Sequence, residues 1–164
     1  MPTTADVRVK VADYAVRRGS DVLSTIGLGS CVAIVLYDAD TKIGALAHVL
    51  LPAKAMSRDT SNPAKFPETI VPVMLEEMRR LGAGAASRLR AKIIGGASMF
   101  GQLITGNGVN VGERNVAATR DALTAAGIAI VAEDTGLHYG RSVYFHLIDG
   151  RVEVRSLKQG DRVI

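Results

Sequence analysis

Residues 31–50 read CVAIVLYDADTKIGALAHVL, two runs that are apolar at nearly every position, split by Asp38-Ala39-Asp40-Thr41. Asp and Thr supply turn chemistry, so the stretch predicts an antiparallel hairpin. A strand sends alternate side chains to opposite faces. A hairpin that is apolar at both odd and even positions must therefore be covered on both sides, which requires more than two layers. With a four-residue loop over 38–41, Tyr37 faces Lys42 and Cys31 faces His48. Val32, Ile34, Leu36, Ile43, Ala45 and Ala47 then share one face. Ala33, Val35 and Leu46 share the other with Cys31 and His48. A slip of one residue would carry His48 to the opposite side.

The rest of the chain fits one α/β domain over residues 1–164. Val7, Val9 and Val11 alternate with polar residues, as in a half-buried strand. Further strands are predicted over 22–26, 89–94, 128–132, 142–147 and 151–155, the last two joined by an Asp149-Gly150 turn. A helix is predicted over 68–81, although Pro72 is awkward inside it. Asn110 caps a second helix, with Glu113 completing a capping-box pattern and Gly127 closing it. Residues 52–67 are rich in Pro, Ser, Asn, Lys and Ala without a clear period and read as a mobile loop.

Composition narrows the function. The single cysteine cannot form an internal disulfide, which suits a reducing cytoplasm. The opening MPTTADVRVK has no apolar signal core, and the longest apolar runs fall far short of the ~20 residues that span a bilayer. A soluble, cytoplasmic protein without membrane insertion is expected. Net charge is +4, but the basic residues are scattered and only 4% of residues are aromatic, so stacking platforms for nucleic acid are not expected.

The chemistry centres on Cys31, which follows the turn Gly27-Leu28-Gly29-Ser30. A free thiol has a pKa of about 8.5 and is mostly protonated near neutrality. A facing imidazole can take that proton, hold the thiolate, and return the proton to a leaving group. Such a pair predicts a thiol poised to react below its ordinary pH range. Amides of the turn, at Gly27, Gly29, Ser30 and Cys31, are candidate donors to an oxyanion. A third group should orient the imidazole. Thr25, Ser24, Ser30 and Asp134 all compete for that role, and spacing does not choose among them.

The strings TIGLGSCV, GALAHVLLP, KIIGGASMF, NVGERNV, AEDTG and GRSV occur here in order. Together they resemble the CheD family of chemoreceptor glutamine deamidases, over nearly the whole chain. The resemblance implies a three-layer α/β/β sandwich with mixed, largely antiparallel sheets and two main helices. It implies Cys31 as nucleophile, His48 as base and Thr25 as third member, with no cofactor or metal. The implied reaction converts receptor glutamines to glutamate. The implied partners are the cytoplasmic helices of methyl-accepting chemoreceptors and a CheC-type phosphatase. A chemotaxis adaptor with little catalysis is the alternative.

Ser98, Met99 and Phe100 are read as a wall for substrate, and Arg141 and Ser142 as either substrate contacts or partners of loop carbonyls. Leu137-His138-Tyr139 after AEDTG, Phe66-Pro67 and the 52–67 loop depart from the family pattern, which bears on substrate choice. His138 is a rival base that no hairpin logic brings to Cys31.

Overall fold

The computed structural model describes residues 4–99 and 110–164. Within them the chain forms β1 (Asp6–Arg8), β2 (Asp13–Arg18), β3 (Val22–Leu28), β4 (Val32–Asp38), β5 (Ile43–Val49) and α1 (Pro67–Leu81). Then follow β6 (Arg90–Gly95), α2 (Val111–Ala125), β7 (Ala129–Thr135), β8 (Arg141–His146), β9 (Val152–Ser156) and β10 (Gly160–Val163). One sheet has the order β2-β5-β4-β6-β7, the other β1-β3-β8-β9-β10. Each is antiparallel except for one parallel pair, β6–β7 in the first and β1–β3 in the second.

Every residue of β4 and β5 is buried, as their two apolar faces require. Val32, Ile34 and Leu36 of β4 join Ile43, Ala45, Ala47 and Val49 of β5 against Ile70, Met74 and Met78 of α1 and Leu123 of α2. The opposite face, with Ala33, Val35, Tyr37 and Leu46, meets Leu23, Leu28, Val143, Phe145 and Val154 of the second sheet. The result is the expected three-layer α/β/β sandwich, with β4 in the middle of the central sheet. At Gly44 the sheets close so tightly that a Cβ would sit 2.4 Å from Leu147 and 2.7 Å from Phe145. Beside it the Tyr37 and Phe145 rings meet edge to face, 5.6 Å apart at 84°, a favoured aromatic geometry.

The hairpin register differs from the expected one by two residues. Val32 pairs with Val49, Ala33 with His48 and Asp38 with Ile43. The loop is 39–42 rather than 38–41, because Lys42 adopts a left-handed conformation (φ 59°) and its amide bonds to Asp38 O. Side chains alternate with period two, so this shift keeps every residue on its expected face.

Other expectations need correction. The alternating valines form only the short β1, and a strand not foreseen, β2, follows a turn with Ala12 at φ 57°. β10 was also not foreseen. α1 begins at Pro67, so Pro72 lies in its second turn and is exposed. The 52–67 stretch is anchored rather than loose. It contains two short 3-10 turns, Lys54–Met56 and Pro63–Lys65. The amides of Leu50 and Leu51 both donate to Lys65 O, Asn62 Nδ2 donates to Ala12 O, and Phe66 is fully buried.

Candidate active site

The site lies where the two sheets face each other. His48 projects from β5 into the inter-sheet layer and is fully buried. Thr25 reaches it from β3 of the other sheet, with Oγ1 2.7 Å from Nδ1. The same hydroxyl donates to Val9 O at 2.7 Å. A hydroxyl has one proton to give, so with that proton on Val9 the oxygen accepts from Nδ1–H. The imidazole is thereby held with its lone pair on Nε2. Of the four candidates, Thr25 is the one bonded to the ring: Ser24 Oγ accepts from Arg8, and Asp134 holds two arginines.

Cys31 lies immediately before β4 and packs against the same inter-sheet core. With Ala33 opposite His48, Cys31 is the diagonal neighbour of His48. Diagonal Cα positions in an antiparallel pair are about 7–8 Å apart, within reach of a long side chain. His48 Nε2 has no hydrogen-bond partner among the described residues, so no bond joins it to the sulfur here. The structure thus brings Thr25 and His48 into contact and places Cys31 beside them on the same face.

The turn that carries Cys31 is fixed from several sides. β3 ends in a bulge between Thr25 and Leu28, where Gly27 takes φ 75°. The Gly27 amide donates to Ser142 Oγ at 3.3 Å, which commits it and leaves the later amides as candidate donors. Gly29 O accepts from Ala97 N, and Cys31 O from Gly96 N. Gly95, at φ 112°, is needed for this approach: a Cβ there would lie 2.3 Å from Cys31 O. From α2, Asn115 Nδ2 donates to Ser30 O at 2.8 Å and to Leu50 O at 3.2 Å. In the sequence Asn115 stands within NVGERNV, where no local pattern marks it for a role beyond its being a polar residue at an inward position of an amphipathic helix.

Burial sets the electrostatics. It pushes the Cys31 thiol above its ordinary value, opposed by the thiol's contact with its own amide. It drives His48 down to about 4, because removal from water disfavours the charged form of each. The resting pair is a neutral thiol and a neutral imidazole. This corrects the expectation of a thiol poised below its ordinary range.

The remaining predicted residues fall outside this cluster. Arg141 is buried, its Nε bonded to Asp134 Oδ1 at 2.9 Å and its Nη1 donating to Gly136 O. Of its two anticipated roles, it fills that of partner to loop carbonyls. Ser142 braces the bulge. The Ser98 amide donates to Leu137 O, and its carbonyl meets His138 Nδ1 at 2.9 Å, so one nitrogen of the rival base is engaged by that carbonyl. Met99 is half exposed and touches the space above Gly29. Phe100 lies outside the described residues. A cleft of about 300 Å³ opens beside the bulge, lined by Ile26, Gly27, Met99, Ser142, Arg155 and Lys158 among others. Among the described residues no group of His, Cys, Asp and Glu is arranged to hold a metal ion.

The family described as CheD chemotactic sensory transduction matches residues 50–156. A protein of Caldanaerobacter subterraneus named "Probable chemoreceptor glutamine deamidase CheD" is 46% identical over 158 residues, 96% of this chain and 97% of its own length. The chain belongs to the CheD family. A CheD of Pyrococcus abyssi bearing the same name is 45% identical over 157 residues, 96% of this chain and 95% of its own. A CheD of Geobacter metallireducens, "Probable chemoreceptor glutamine deamidase CheD 2", is 46% identical over 154 residues, 93% of this chain and 94% of its own. The matched family region begins two residues after His48, whereas the likeness to these CheD proteins runs through nearly the full chain. Among the described residues no helix is long and apolar enough to cross a membrane.

Proposed function

We propose that this chain is a chemoreceptor glutamine deamidase in which Cys31 is the nucleophile, His48 the general base and Thr25 the residue that orients His48. One observation carries the reading. The Thr25 hydroxyl fixes Nδ1–H and leaves a buried, unpartnered Nε2 on the face that also bears the only cysteine of the chain. As the glutamine carboxamide enters, Nε2 takes the thiol proton and Sγ bonds to the carboxamide carbon. The oxyanion faces the Cys31 amide, where one donor is worth ~10²–10³ in rate. The C–N bond breaks, the imidazolium gives its proton to the nitrogen, and ammonia leaves behind a thioester. His48 then deprotonates water, whose oxygen bonds to the same carbon. The C–S bond breaks, the proton returns to sulfur, and glutamate is released.

A neutral resting pair suits this sequence, because the proton moves only when substrate is present. Hydrogen bonds of a catalytic pair are often long before substrate binds and tighten in the reactive complex. The product adds negative charge to a receptor helix. Each i,i+4 charge relation is worth only ~0.2–0.5 kcal/mol, and several such sites together bias a receptor poised between two states. The substrate is the cytoplasmic helical region of chemoreceptors, and a CheC-type phosphatase is the proposed regulatory partner.

The test is intact-mass analysis of a receptor cytoplasmic fragment incubated with wild type and with Cys31→Ala. Wild type should produce the mass gain of amide-to-acid conversion together with ammonia, and Cys31→Ala neither. Equal conversion by both would overturn the assignment. An adaptor would instead bind the fragment and leave its mass unchanged.

A further inference from the structure

We infer that Asn115 is a positioning residue, whose side-chain amide aims the Cys31 N–H at the developing oxyanion by holding the Ser30 carbonyl. This deepens the deamidase reading and rests on Cys31 being the nucleophile. The Ser30 C=O and the Cys31 N–H belong to one peptide unit, which is planar and trans. Their bonds point in opposite directions, so fixing one fixes the other. Asn115 Nδ2 donates to Ser30 O at 2.8 Å. A donor on the carbonyl also polarises the peptide and strengthens its N–H as a donor.

The second Asn115 bond, to Leu50 O at 3.2 Å, ties the same side chain to the chain two residues beyond His48. One NH₂ group therefore spans the segments that bear nucleophile and base. Both acceptors are carbonyls, so only the amide nitrogen can face them, and among the described residues the buried Oδ1 has no partner. Leaving a buried acceptor unsatisfied is costly, and the two bonds on the opposite edge are what the residue gains. One turn earlier, Gly112 brings the helix close enough: a Cβ there would lie 2.4 Å from Ala97 O.

The test compares wild type, Asn115→Ala and Thr119→Val. Among the described residues the Thr119 hydroxyl bonds only the Asn115 backbone carbonyl, at 2.8 Å, and Thr119 controls for loss of packing in the same helix. Deamidation by Asn115→Ala should fall ~10²-fold in kcat, the scale of one misdirected oxyanion donor, with KM within about twofold. Thr119→Val should keep wild-type kcat. Iodoacetamide alkylation of Cys31 separates aim from damage. Losing the aimed amide removes the influence that lowers the thiol pKa, so the alkylation midpoint moves to higher pH with the high-pH plateau rate unchanged. A loosened site would be less buried, moving the midpoint down and the plateau up. A falling midpoint, or full kcat in a folded Asn115→Ala, overturns the inference. In isotope-labelled wild type, a scalar coupling across the bond from Asn115 Nδ2 to the Ser30 carbonyl is expected. Its absence overturns the inference even if the variants fail to fold. Wild type that cannot deamidate would instead defeat the deamidase reading.

Discussion

At the scale of residues, His48 makes stability depend on acid. The unfolded chain takes up the imidazole proton near pH 6.5, the native protein only near about 4. Between these values unfolding binds a proton, so stability falls as pH falls through this window and is fully present above it. The buried neutral ring should account for roughly 3 kcal/mol of that loss. Urea titrations at pH 7 and pH 4.5 should show a smaller difference for His48→Gln than for wild type. An equal loss in both would place the acid sensitivity elsewhere. The buried Asp134 carboxylate is held by Arg141 at 2.9 Å and Arg162 at 2.6 Å on separate oxygens. It ties the 134–141 turn to β10 and holds the buried Arg141 guanidinium by its Nε.

At the scale of elements, Gly95 at the end of β6, with Gly96 and Ala97 after it, supports the turn that carries Cys31. Gly95→Ala would force a Cβ against Cys31 O and strain a backbone at φ 112°. We expect a loss of about 1–3 kcal/mol from the backbone conformation alone. Deamidation should fall further than stability predicts, because the clash displaces the peptide next to the nucleophile. Thermal melts together with the mass assay on receptor fragments would check both. Unchanged activity at lowered stability would show that the turn tolerates the shift.

The elements also show what the sequence made legible. β4, β5 and α2 are bounded by strong patterns, and Asn110 caps α2 as predicted, its Oδ1 accepting from Glu113 N at 2.7 Å. The two-residue register difference arose because Lys42, not glycine, takes the left-handed turn position, which local propensity disfavours. It did no harm because period-two alternation preserves the face. β2 and β10 were invisible for a common reason. Both are edge strands rich in exposed charge, Arg17 and Arg18 in one and Asp161 and Arg162 in the other, so neither shows apolar alternation. Spacing left Thr25 one of four candidates and only the resemblance singled it out, since its bond to His48 crosses between sheets and no local pattern encodes it.

At the scale of the whole molecule, two apolar layers flank the central sheet and only one of them borders the chemistry. Phe145 fills the inter-sheet layer, fully buried against Tyr37 and the backbone at Gly44. Phe145→Ala should cost about 3–5 kcal/mol. Met74→Ala, beneath α1 on the helix side, should cost about 2–5 kcal/mol. Their effects on turnover should differ, with Phe145→Ala slowing a still-folded protein and Met74→Ala leaving kcat close to wild type. Similar kcat values in both variants would mean that the two layers are mechanically coupled. The bond from Thr25 to His48 runs from one sheet to the other, so under the proposed mechanism turnover gauges the seam between them. Mild heating that lets the halves breathe by a fraction of a bond length would free the ring to rotate while every strand stays intact. Turnover should then fade on warming well before circular dichroism registers any melting.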